Sequence, residues 1–226
     1  MIVIEDKVFC GTETECALPL YTADDAVVVR NCVFQDLVAP GTNNGCCAVQ
    51  VGSNASYVRD VTIENCVFRK IKGNVDHELH AILAYGENIT IRNNVLEDIG
   101  EDERDQEGIY LKGSRSLISG NRIHNGAQIA ICVKGLDSRD NIVANNVVTG
   151  ESMWGIRTNG RVVVANNIVR DSTYTGISCE GLQDSSEAVV TGNYVEAQVI
   201  GVRLYHLTRH VESGNLISAK MPVKVD

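Results

Sequence analysis

A five-residue motif that recurs along the chain constrains the fold more than any other feature. It reads Arg-Asn-Cys-Val-Phe at 30–34, Glu-Asn-Cys-Val-Phe at 64–68, Arg-Asn-Asn-Val-Leu at 92–96 and Ser-Gly-Asn-Arg-Ile at 119–123. It continues as Ala-Asn-Asn-Val-Val at 144–148, Ala-Asn-Asn-Ile-Val at 165–169, Thr-Gly-Asn-Tyr-Val at 191–195 and Ser-Gly-Asn-Leu-Ile at 213–217. The third residues are spaced 34, 28, 27, 25, 21, 26 and 22 apart, so one constant frame carries insertions of varying length. The second position is always Asn or Gly, the residues that best tolerate a left-handed backbone, which places a tight bend there. The third position, occupied by Cys32, Cys66, Asn94, Asn121, Asn146, Asn167, Asn193 and Asn215, then stacks into an asparagine ladder continued by two cysteines.

The fifth position is always apolar and the fourth varies, the period-two pattern of a half-buried strand. A second strand follows in most repeats. It reads Ala-Val-Gln-Val-Gly at 48–52, Ala-Ile-Leu-Ala-Tyr-Gly at 81–86, Gly-Ile-Tyr-Leu-Lys-Gly at 108–113 and Ala-Ile-Cys-Val-Lys-Gly at 130–135. Gly-Ile-Arg-Thr-Asn-Gly at 155–160, Gly-Ile-Ser-Cys-Glu-Gly at 176–181 and Gly-Val-Arg-Leu-Tyr-His at 201–206 complete the series. Aromatics are only 5% of the chain, so Val, Ile, Leu and Ala must fill the core, and the first two favour strands. The expected architecture is all-β: a single-stranded right-handed parallel β-helix of about eight coils in one domain, 1–226. Residues 1–26 are read as an N-terminal cap, 27–217 as the coils and 218–226 as the C-terminal end.

The Asn-Asn-Val and Gly-Asn-x-Ile motifs, joined to Gly-Ile-x-Leu-x-Gly strands, resemble the repeat of the pectate-lyase-like superfamily, including alginate lyases and mannuronan epimerases. The likeness runs from residue 27 to about 217 and is specific for fold, since the same frame carries hydrolases, tailspikes and proteins without catalysis. It implies elimination or epimerisation at a uronic acid, with a cation neutralising the carboxylate, a base taking the C5 proton and an acid assisting the leaving oxygen.

With Ile109, Ile131, Ile156, Ile177 and Val202 pointing inward, alternation sends Tyr110 and Lys112, Cys132 and Lys134, Arg157 and Asn159, Ser178 and Glu180, and Arg203 and Tyr205 outward. Leu83 and Tyr85 extend the row. The stripe holds four cations and one carboxylate, opposite in sign to the chain's formal net charge of −9, and suits an acidic polysaccharide lying along the axis. The resemblance places catalysis by position only, on Lys112 and Lys134 with Tyr110, Arg157 and His80 as partners. Tyr85, Trp154, Asn159, Arg203 and Tyr205 are the expected substrate contacts. Acidic segments at 74–80 and 100–107 precede two of these strands, so Asp76, Glu78, Asp105 and Glu107 are a candidate calcium set, against the alternative of solvated loops.

Other chemistries find no support. The acidic balance argues against nucleic-acid binding, no run is long enough for a membrane helix, and the start lacks a signal peptide, although the resemblance favours an extracellular or cell-surface setting. His77 and His80 stand as His-Glu-Leu-His, which excludes a zincin. No Cys-x-x-Cys pair occurs among eight cysteines; Cys10 and Cys16 bracket a polar segment and leave a small disulfide loop open as one reading. Asn54-Ala-Ser56 matches a glycosylation acceptor. A non-catalytic glycan-binding or structural module is the competing function. Oligomeric state is not legible.

Overall fold

The computed structural model describes the chain except residues 12–15, 22–25, 39–45, 74–77, 101–105 and 183–185. The described residues form strands and connections with no helix, and therefore no helix long and apolar enough to cross a membrane. The strands stack in parallel. One nine-stranded sheet runs in chain order through Ile2–Glu5, Val27–Arg30, Val61–Glu64, Thr90–Arg92, Leu117–Ser119, Asn141–Ala144, Val162–Ala165, Glu187–Thr191 and Arg209–Ser213. This is the first face of the solenoid.

The motif's bend carries the chain from the first face into the second, whose strands include Val33–Val38, Val67–Lys72, Val95–Ile99 and Arg122–Gly126. The third face holds Cys46–Val51, Leu79–Glu87, Gln106–Ser114, Ile129–Arg139, Ser152–Asn159 and Ile200–Tyr205. The second and third faces join as one sheet, and the strand Ile168–Glu180 runs continuously around their shared corner. Residues 2–20 contribute strands of their own to all three faces, each paired in parallel with the next coil. Asp6 takes the bend position there, with φ 55°. Val8 and Phe9 repeat Val33 and Phe34, but Asp6-Lys7 in place of Asn-Asn hides this coil from a motif search.

The left-handed bend is present at every repeat, for example at Asn31 (φ 56°), Asn93 (56°), Asn145 (59°) and Gly192 (65°). It turns the following residue inward, where the ladder forms. Asn146 illustrates the unit. Its Oδ1 accepts from both the backbone N and Nδ2 of Asn121, each at 3.0 Å, and its own Nδ2 donates to Asn167 Oδ1 at 3.0 Å. The same amide also donates to Ile118 O and Ala144 O, at 3.0 and 3.1 Å. Each ladder step thereby satisfies polar groups that stacking would otherwise bury unpaired. At the N-terminal end Cys66 takes the position: its Sγ faces Val29 O at 3.8 Å and Glu64 O at 3.3 Å, where an asparagine would place Nδ2.

The thiol is the weaker donor and offers no Oδ1 to the backbone N of Cys32. Cys66→Asn is therefore expected to extend the ladder by one rung and stabilise the chain by about 1 kcal/mol, seen as a higher denaturation midpoint at unchanged m-value. A lower midpoint would mean that the larger side chain does not fit. Inside the solenoid, Val, Ile and Leu fill the stack, and Phe9, Phe34 and Phe68 lie face to face at 4.7 and 4.9 Å.

Candidate functional site

The third face builds the site through three outward columns. Near the start of its strands a small residue sits at the corner because that corner is tight: a Cβ on Gly108 would lie 2.7 Å from Ala130 O and 3.6 Å from Leu96 Cδ2, inside the core. Two consecutive inward positions, such as 108 and 109, interrupt the alternation. The residue before each corner consequently joins the outer surface. His80 and Glu107 lie in register on neighbouring coils, followed by Ile129 and Trp154. The second column is Leu83, Tyr110, Cys132, Arg157, Ser178 and Arg203. The third sets Tyr85, Lys112 and Lys134 in register, and then Asn159, Glu180 and Tyr205.

Glu107 departs from its expected place. It lies within the strand Gln106–Ser114 and is buried. Its Oε2 lies 3.0 Å from His80 Nδ1, off the alignment of a hydrogen bond, and its Oε1 lies 4.0 Å from Lys134 Nζ. Glu78 approaches His80 Nε2 from the other side at 4.0 Å. Burial alone would hold His80 neutral, but the two carboxylates outweigh it and raise the imidazole above its ordinary value. In turn His80 lowers Glu78.

Of the expected calcium set, Asp76 and Asp105 lie outside the described residues. Glu78 and Glu107 both face the imidazole instead of converging on an oxygen cage. Among the described residues no three His, Cys, Asp or Glu side chains gather as metal ligands.

The expected excess of positive charge is also corrected. Arg157 holds Glu180 by two bonds of 2.9 Å, and Ser178 Oγ donates to the same carboxylate at 3.1 Å. Arg203 lies 3.6 Å from Asp226 Oδ2 and over the Tyr205 ring at 4.5 Å. Three cations thus face a carboxylate. Among the described residues Lys112 faces none; its Nζ donates to Asn54 Oδ1 at 2.7 Å and lies 6.0 Å from the centre of the Tyr85 ring.

Outward alternation does not mean exposure. Cys132 and Ser178 are fully covered, and Tyr85, Asn159 and Glu180 are buried beneath their longer neighbours. Burial raises both Tyr85 and Tyr110, so Tyr110 keeps its proton over the whole neutral range. Trp154 stands in the strand Ser152–Asn159, with Arg157 5.3 Å above its ring and Tyr174 edge-on at 6.0 Å.

Lys112, Lys134, Tyr110 and Asn159 meet in a groove of about 640 Å³, rimmed by Asn54, Tyr57, Leu136 and Leu182. Asn159 Oδ1 is buried there without a hydrogen-bond partner. The groove excludes His80, Trp154, Arg203 and Tyr205 from its lining. Sequence reasoning missed Asn54 as a site residue; its turn is an insertion between two third-face strands, and only stacking brings it over Lys112. A larger recess of about 910 Å³ follows the corner after the second face, but Asp98, Glu151, Asp171 and Glu196 line it. Its sign repels an acidic glycan, which leaves the smaller groove as the candidate.

A parallel solenoid with a cation-bearing groove along one face defines a class, the β-helix proteins. The family model described as right handed beta helix region matches residues 47–216, and the chain belongs to that family. Among solved structures it is similar to the alginate lyase from Paenibacillus sp. str. FPU-7, at 18% identity over 98% of this chain and 92% of that chain, with a TM-score of 0.50. That likeness is one of fold. Comparison with the curated proteins finds no match.

Proposed function

We propose that the chain is a carbohydrate-active β-helix protein, a lyase or epimerase acting on an acidic, uronate-containing polysaccharide in an extracellular or cell-surface setting. The observation that carries this is the in-register pair Lys112 and Lys134 on neighbouring coils, about 4.8 Å apart in backbone, beside a protonated phenol and a buried acceptor without a partner.

The two lysines divide the work. Lys134, faced by Glu107, neutralises the substrate carboxylate. Lys112, opposite no described carboxylate and steadied by an amide oxygen, takes the C5 proton. Tyr110 is the acid for the leaving oxygen, and Asn159 Oδ1 accepts a sugar hydroxyl. His80 and Glu107 lie behind this pair and position it. Arg157 and Trp154, held by Glu180 and Tyr174, form the wall toward which the glycan runs, and Arg203 and Tyr205 extend the contact surface, with the buried Tyr85 ring beneath Lys112.

The test is incubation with a panel of acidic polysaccharides while following unsaturated uronate absorbance, with a C5 proton-exchange measurement alongside. A rise in absorbance supports the lyase, exchange without a rise supports the epimerase, and binding with neither identifies a glycan-binding module. Calcium dependence, expected from the acidic set Asp76, Glu78, Asp105 and Glu107, belongs to the same proposal. Turnover lost in chelator and restored by calcium supports it; turnover unchanged in chelator removes it.

A further inference from the structure

Cys16 and Cys47 occupy the same register on adjacent parallel strands of the third face. Neighbouring strands lie about 4.8 Å apart, within the Cα separation of about 4.4–6.8 Å that a disulfide spans. The Cys47 thiol also lies within hydrogen-bonding reach of Gln50 Oε1, at 3.6 Å. The two differ in access, for Cys16 is half-buried and Cys47 buried. Hydrogen bonding from Cys47 and from the backbone at Leu18 and Gln50 lowers Cys16 below the ordinary thiol value despite its partial burial. Cys66, Cys132 and Cys179 are buried, and their burial pushes each thiol up to about 12. Those three are inert by the same reasoning.

We propose that Cys16 and Cys47 are an attacking and a resolving thiol that close a cross-coil disulfide when met by a low-molecular-weight disulfide such as oxidised glutathione. The Cys16 thiolate attacks one sulfur of the oxidant and expels a glutathione thiolate. Cys47 then attacks the Cys16 sulfur of the mixed disulfide and expels the second. Two protein thiols are oxidised, one disulfide is reduced to two glutathione thiols, and the two thiol protons end on those products. The bond staples the first coil to the second, at the open end of the solenoid and one coil away from His80, which shares the Cys47 register. Cys10 lies on a second-face strand opposite Gln35, away from the Cys16–Cys47 register, so a Cys10–Cys16 bond is the competing product.

The test is exposure of the intact reduced chain to oxidised glutathione, alkylation, and non-reducing peptide mapping by mass spectrometry. The expected main product is a Cys16–Cys47 peptide, with a thermal midpoint raised by about 5 °C. Cys47→Ser is expected to trap a stable glutathione adduct on Cys16, and Cys16→Ser to abolish both species. A lasting adduct on Cys16 in the unaltered chain, a Cys10–Cys16 peptide, or no modification of Cys16 overturns the proposal. Circular dichroism of both variants distinguishes loss of the pair from loss of the fold.

Discussion

Lys112→Arg is expected to lower kcat/KM on the acidic polysaccharide by about 10²–10⁴-fold, the usual worth of a general base, whereas Lys134→Arg retains activity within about tenfold. An arginine at Lys134 preserves a cation that neutralises the carboxylate, whereas an always-charged guanidinium at Lys112 cannot take a proton, so the pair separates proton abstraction from charge neutralisation. The asymmetry rests on Glu107, which faces Lys134 Nζ at 4.0 Å, while among the described residues Lys112 Nζ faces no carboxylate and donates to Asn54 Oδ1 at 2.7 Å. Initial rates of unsaturated uronate formation, or of C5 proton exchange, measure it. Equal losses in the two variants would remove the division of roles. The reverse order would assign the base to Lys134. Unchanged binding of the polysaccharide to Lys112→Arg is the accompanying expectation, because the guanidinium still offers N–H donors to the groove.

The largest expected effect on stability is at the middle of the ladder. Asn146→Ala removes the acceptor of two Asn121 donors and the donor to Ile118 O, Ala144 O and Asn167 Oδ1. Asn121 and Asn146 are fully buried, so water cannot replace these partners. At about 1–3 kcal/mol for each orphaned buried group, the loss is about 5 kcal/mol in chemical denaturation. Asn215→Ala, at the half-buried last rung, is expected to cost about 1 kcal/mol, since its amide serves fewer buried groups. Similar costs at the two positions would mean that the ladder adds little beyond its backbone hydrogen bonds.

Much of the fold is legible in the motif. The left-handed bend at Asn or Gly, the inward third residue and the alternation around Ile109, Ile131 and Ile156 are local requirements of the backbone, and neighbouring residues are enough to reveal them. The site is legible only in part. Strict alternation back from Ile109 would turn Glu107 inward, so the acidic segment 100–107 reads as a loop, because nothing in the string shows that the chain points inward twice at Gly108. The four-to-one charge count fails for the same reason: Arg157 and Glu180 belong to adjacent coils, and Asp226 reaches Arg203 from beyond the last recognised repeat. Lys112 and Asn54 meet across 58 residues of sequence.

By itself the sequence determined the parallel solenoid, the asparagine ladder with its two cysteines, and the register neighbours Tyr110 with Cys132 and Lys112 with Lys134. Each of these follows from the pleat and the bend, which act over two to five residues and repeat. Tertiary structure alone decided which cation meets a carboxylate, that Glu107 is buried between His80 and Lys134, and that Cys16 shares a register with Cys47 and Cys10 does not. Those pairings depend on which residues stacking brings into register. Insertions of unequal length between repeats shift that register in sequence while leaving it unchanged in space.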